Sequence, residues 1–176
     1  MLMSGDIYKT KNYGALEVLE YINAFCVRYR FVDTGYQGEA RKDHILDGNV
    51  RDKLKRTVKG VGYIGGNRHK TAGKGGIHTI KYSYWANMIK RCYCNNYQEQ
   101  YPTYKGCYVC DEWHNFQVFA DWFEVNYPSG FDGYHIDKDI LIKGNKVYGP
   151  DTCKIVSPSE NVSHSNTARS KKVSND

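Results

Sequence analysis

No stretch of this chain approaches the ~18 consecutive apolar residues that a membrane-spanning helix needs. The opening residues, MLMSGDIYKTKN, lack the hydrophobic core of a secretory signal. Together these absences predict an intracellular protein, in the cytoplasm, with no membrane partner. In such a reducing compartment the six cysteines are expected as thiols or metal ligands rather than disulfides. Acid is nearly missing from residues 51–91, where Asp52 stands alone against eleven Lys and Arg, a local charge of +10. The phosphate-loop spacing GxxxxGK[ST] is absent too, so the GKGG at 73–76 is not read as a nucleotide site.

What is present is a charge asymmetry. The net charge is +6, yet residues 111–139 hold seven acids against Lys138. A basic segment followed by an acidic one suits a protein that grips a polyanion and holds a cation. DNA is therefore the expected partner. Arg68, Lys70, Lys74 and Lys81 in the basic segment, with Lys171 and Lys172 near the end, are its candidate contacts. A solvated linker is the plainer reading of the same segment. Sixteen tyrosines, in a chain that is 40% hydrophobic, are most simply mixed-polarity core residues. Oligomeric state leaves no mark in the sequence.

Three parts follow: a small β unit over 1–50, a basic connector over 51–82 and a helical and β region over 83–176. In the first, GDIYKT, ALEVLEYI and CVRYRFVDT are short runs rich in β-formers, separated by turn residues. They predict an SH3-like barrel or a compact antiparallel sheet. Asp43-His44 reads as plain surface, and Cys26 as a buried apolar residue. In the third part, Trp85, Met88, Ile89 and Cys92 fall at i, i+3, i+4 and i+7, which predicts a helix over 83–93. A second helix is predicted over 112–126, capped by Asp111 and striped by Trp113, Phe116, Phe119, Ala120 and Phe123. Residues 133–156 predict a hairpin turning at Lys143–Lys146. Ser157-Pro158-Ser159-Glu160 then reads as a capping box with Pro at the first helical position, opening a helix that runs into 169–172. The whole is an α+β chain.

Cys92, Cys107, Cys110 and Cys153, with Cys94 as an alternate, have the spacing of a structural zinc site that would staple a thin core. Reduced core thiols are the alternative.

The segments YSYWANMIKRCY, YPTYKGCYVCDEWHNFQVFADWF and YHIDKDILIKGNKVYGPDTCKIV together resemble phage-encoded proteins of the HNH, or ββα-metal, endonuclease superfamily. The resemblance is closest to a divergent group with Lys or Arg at the usual catalytic His. It covers roughly residues 82–166. It implies metal-dependent phosphodiester hydrolysis. Asp137 matches the family's metal-binding Asp, Lys138 stands at its water-activating His, Asn145 matches its loop-stabilising Asn, and Thr152 stands at its final Asn. Flanking carboxylates favour the charged form of Lys138, which makes it a poor base and a plausible phosphate anchor. His135, two residues before Asp137 and on the same strand face, is the better proton acceptor. Asp137 and Asp139 are the expected Mg²⁺ or Mn²⁺ ligands. The alternatives are an inactive relative that regulates through DNA binding, and a protein-binding inhibitor of host defence.

Overall fold

A computed structural model describes residues 2–128 and 133–161. The chain divides into two compact units, Met1–Lys55 with Tyr63–Gly66, and Arg56–Gly62 with Asn67–Asp176. Among the described residues no helix is long and apolar enough to cross a membrane. The class is α+β, as expected.

The first unit is an antiparallel meander of β1 (Ile7–Thr10), β2 (Gly14–Asn23), β3 (Cys26–Phe31) and β4 (Gln37–Ala40), paired in that order. Alternation decides its faces. Val27, Tyr29 and Phe31 point inward from β3, while Arg28 and Arg30 point outward. The outward arginines pair across strands with Glu20, Glu39 and Glu17. The tight β2–β3 turn is held by Asn23, whose Oδ1 accepts from Phe25 N and Cys26 N. Leu2, Leu16, Val18, Ile45 and Val50 complete the core. Ile45 arrives on a short helix, α1 (Lys42–Leu46), that the sequence does not foreshadow. Asp43 and His44 lie on its exposed side. Cys26 is half-buried, not buried, because it sits at the strand's turn end.

The second unit is built on α2 (Ile80–Tyr93) and α4 (Phe116–Asn126). α2 buries Trp85, Met88, Ile89 and Cys92, the predicted stripe. It starts three residues earlier than predicted, because Thr79 caps it by accepting from Tyr82 N. α4 is shorter than predicted. Its cap is Asn115, whose Oδ1 accepts from Gln117 N at 2.9 Å, and Asp111 instead opens a separate 3-10 turn, Asp111–His114. Trp113 rides that turn into the core, where its carbonyl accepts from Trp85 Nε1 at 2.7 Å. Gly62 lies so close to the Trp85 ring that a Cβ would meet it at 2.9 Å. Between the helices come α3 (Asn95–Gln100) and β5 (Tyr108–Val109).

The predicted hairpin forms only in part. β6 (His135–Asp137) pairs antiparallel with β8 (Lys154–Val156). The strand expected right after the turn, β7 (Val147–Tyr148), leaves the hairpin and pairs parallel with β5. Helix begins again at 158–161. There the capping box forms: Ser157 Oγ accepts from Glu160 N, and Glu160 Oε2 accepts from Ser157 N at 2.8 Å. The helix's predicted run to 169–172 lies outside the described residues.

Candidate active site

The loop leaving β6 is organised by three side chains. Asp137 Oδ1 accepts from the backbone N of Asp139 (2.6 Å) and of Ile140 (2.9 Å), a local turn of the kind aspartate favours. Asn145 Nδ2 donates to the carbonyls of Lys138 and Val147, both at 2.8 Å, and its Oδ1 accepts from Val147 N. Lys138 is buried, 7% exposed. Its Nζ donates to Asp139 Oδ2 (2.6 Å) and to the Asn145 carbonyl (2.7 Å), and lies over the Tyr148 ring. Two of the three ammonium N–H groups are thus used inside the loop, although Lys138 also lines the cavity beside it. Thr152 is also structural: its hydroxyl donates to Val147 O at 2.9 Å. Asp139 carries Lys138's counter-charge from an exposed position.

Around this loop opens a cavity of about 220 Å³. His135, Asp137, Lys138 and Asp139 line it, together with residues that the sequence does not single out, among them Arg91, Tyr104 and Asn161. His135 and Asp137 flank buried Ile136, so strand alternation does put them on one face. Asn161 comes from the first turn after the capping box, so the strand–loop–strand–helix run of 135–161 delivers both ends of the site. The capping box was the available signal, because it fixed where that turn begins. Arg91 borders the predicted α2 stripe. Its guanidinium lies 5.6 Å from the centre of the Tyr104 ring and near the Tyr148 hydroxyl. Burial pulls its affinity for the proton down, but the phenols of Tyr104 and Tyr148 hold it above the ordinary value. Burial pushes the Tyr148 phenol upward, opposed by Arg91. Among the described residues no carboxylate forms an ion pair with Arg91. Arg91 therefore faces the cavity half-buried and with no carboxylate in ion-pair contact, although Asp137 and Asp139 line the same cavity.

For a metal, the donors are of two kinds. Among the described residues no three His, Cys, Asp or Glu side chains form a group that could hold one ion. Mg²⁺ tolerates this, since it is commonly held by one or two carboxylates, waters and the substrate's own phosphate. Asp137 meets that lesser demand. A closed zinc site demands four protein ligands. Cys92 has both Cys107 and Cys153 as neighbours and Cys153 has Cys110, but no three of these thiols are grouped closely enough to hold one ion. Burial, then Cys107, pushes the Cys92 thiol up to about 12. Burial pushes Cys153 up to about 12, with Cys110 adding to it. Cys110 itself is raised to about 11, chiefly by burial. Cys94 lies at the start of α3 with its thiol lowered, first by the Tyr97 backbone N–H and further by Lys59.

The basic segment is less free than its composition suggests. Arg68 and Lys81 form ion pairs with Asp121 and Glu124 of α4. His69, 8% exposed, lies between them: Nδ1 is 3.0 Å from Lys81 Nζ and Nε2 is 2.7 Å from Asp121 Oδ1. An ammonium can only donate, so Nδ1 accepts and the Nε2–H faces the carboxylate. Lys70 and Lys74 are exposed. Lys171 and Lys172 lie outside the described residues. No protein family, no curated protein and no solved structure matches this chain.

Proposed function

We propose that the chain is a DNA-binding protein of the HNH type and a metal-dependent endonuclease that hydrolyses phosphodiester bonds. One observation carries this reading. A strand, an asparagine-locked loop, a second strand and a helical turn direct His135, Asp137 and Asn161 at one cavity, with Arg91 on its wall.

In this reading Arg91 binds the scissile phosphate. His135 takes a proton from the attacking water, the task for which an imidazole suits neutral pH. Asp137 holds Mg²⁺ or Mn²⁺, and the bound ion supplies charge stabilisation at the scissile phosphate and the leaving oxygen. Tyr104, beside Arg91, and Asn161 help orient the phosphate. Lys138 and Asn145 keep the loop in shape. Lys70 and Lys74 meet neighbouring phosphates, and the N-terminal sheet, read as an SH3-like module, positions the duplex. Zinc on Cys92, Cys107, Cys110 and Cys153 belongs to the same proposal. It requires those thiols to lose protons and to gather around one centre, and elemental analysis of purified protein is expected to find about one zinc per chain.

The test is plasmid nicking with Mg²⁺ or Mn²⁺, against EDTA. Asp137→Asn is the informative variant, because an amide oxygen still accepts the Asp139 and Ile140 N–H groups while the charge is lost. It is expected to abolish cleavage and leave DNA binding intact. Nicking by Asp137→Asn at the wild-type rate sinks the assignment.

The pinned Lys138 favours a second reading, a catalytically inactive relative that binds DNA as a regulator. DNA binding without metal-dependent nicking, in wild type and in Lys138→His alike, selects it.

A further inference from the structure

We propose that the cavity beside Arg91 on α2 is a nucleobase subsite, and that the protein acts on a strand in which one base has left the helical stack. The proposal rests on the nucleic-acid reading of the neighbouring site. This second cavity measures about 240 Å³ and shares Arg91, His135, Ile136 and Tyr148 with the first. It is smaller than the roughly 300–1,000 Å³ of drug-sized ligand pockets. That volume suits one planar ring system rather than a dinucleotide.

Its remaining walls differ in chemistry from the phosphate pocket. Tyr84, Asn87 and Met88 come from α2, and Tyr134 from the residue before β6. On α2 the series Tyr84, Asn87, Met88, Arg91 follows helical spacing, so one face presents a ring, an amide and a guanidinium in order. The rings are braced before any ligand arrives. The Tyr84 hydroxyl donates to the Tyr134 carbonyl. The Tyr84 ring packs on Phe123 (5.1 Å between centroids) and on Tyr127 (5.7 Å). Tyr127 packs in turn on Tyr134 at 5.6 Å. A pre-ordered aromatic wall is what a base needs for stacking at little entropic cost. Asn87 is exposed. Its amide offers a donor and an acceptor side by side, the pattern that recognises a base edge.

The shared Arg91 ties the two cavities together. A phosphate held there puts the attached nucleoside at the mouth of the aromatic cavity. A base inside a duplex cannot enter such a pocket, so the substrate is single-stranded at that nucleotide or has it extruded.

The experiment measures binding of the full chain, without divalent metal, to a single-stranded oligonucleotide and to a series carrying one abasic site at each position in turn. The expected result is a loss of at least about fivefold at one position, the low end of what stacking a single base contributes, with small losses elsewhere. Asn87→Ala, on an exposed helix face, and Tyr134→Ala are each expected to shrink that single loss, as coupled partners do in a double-mutant cycle. Equal losses at all positions, or an unchanged profile in both variants, overturn the proposal. The nuclease reading is scored separately by nicking with Mg²⁺. A position-specific loss without nicking upholds the subsite and removes the nuclease, whereas nicking with a flat profile does the reverse.

Discussion

Replacing Asn145 by alanine removes two donated bonds and one accepted bond from the loop at once. It leaves the Lys138 and Val147 carbonyls to find other partners, at roughly 1–3 kcal/mol for a polar group deprived of its bond. Urea denaturation is expected to show that loss, together with loss of any nicking. Thr152→Val should cost less, because Val147 O keeps its bond from Asn145. At Tyr29 the expectation concerns pH. Burial, then the neighbouring Tyr36 and Asp52, raises this phenol from 10.0 to about 12. The folded state thus favours the neutral form. The stabilisation is complete below pH 10 and is lost as pH rises through about 12. Thermal melts at pH 9 and pH 11.5 should separate accordingly, and Tyr29→Phe should narrow the gap. An equal gap in that variant places the alkaline sensitivity elsewhere.

Among the elements, α4 offers a clean comparison. Asn115→Ala removes the bond from Gln117 N and should cost about 1 kcal/mol, the usual value of an N-cap, whereas Asp111→Ala, at a side chain 98% exposed, should change stability little. Chemical denaturation of the two variants distinguishes the observed cap from the predicted one. The predicted cap was off because Asp and Asn are equally good caps and the sequence puts one four residues before the other. α2 was legible for the opposite reason: its apolar spacing admits only one helical face. A hairpin over 133–156 was legible in part, and the shared strand face of His135 and Asp137 from alternation; the loop-holding part of Asn145 was implied by the family resemblance. β7 was not, since two residues paired in parallel to a distant strand leave no periodicity. Arg91 and Asn161 were invisible as site residues for a related reason. The α2 pattern shows what that helix buries but not which cavity the flanking Arg91 meets, and the exposed turn at 158–160 gives no apolar pattern by which to place Asn161. In the N-terminal sheet, Gly38 sits opposite Tyr29. A Cβ there would meet the Tyr29 hydroxyl at 2.6 Å and its ring at 2.9 Å. Gly38→Ala should therefore destabilise the sheet, and Tyr29→Phe should relieve only part of the loss.

Across the whole molecule, the charge asymmetry of the sequence is partly internal. Arg68 and Lys81 answer Asp121 and Glu124 within one unit, so the +10 of the basic segment overstates the charge left free for the proposed DNA. Binding measured against salt should report this. Lys70→Ala with Lys74→Ala is expected to flatten the log–log slope by up to about 1.8, from roughly 0.9 for each phosphate no longer neutralised. Arg68→Ala should flatten it less, and a larger effect from Arg68 would mean that its ion pair opens on binding. The parallel pairing of β5 with β7 has a consequence in time. Tyr108 and Val147 are partners across the whole of α4 and β6, so this pairing closes a long chain loop before any gain offsets its entropy. The helices can form locally and early, while the loop that carries Asp137, Lys138 and Asn145 can lock only after β7 has docked. The cavity is then among the last features to appear during folding. Substitutions such as Val147→Ala should speed unfolding and leave the folding rate almost untouched, a φ-value of about 0.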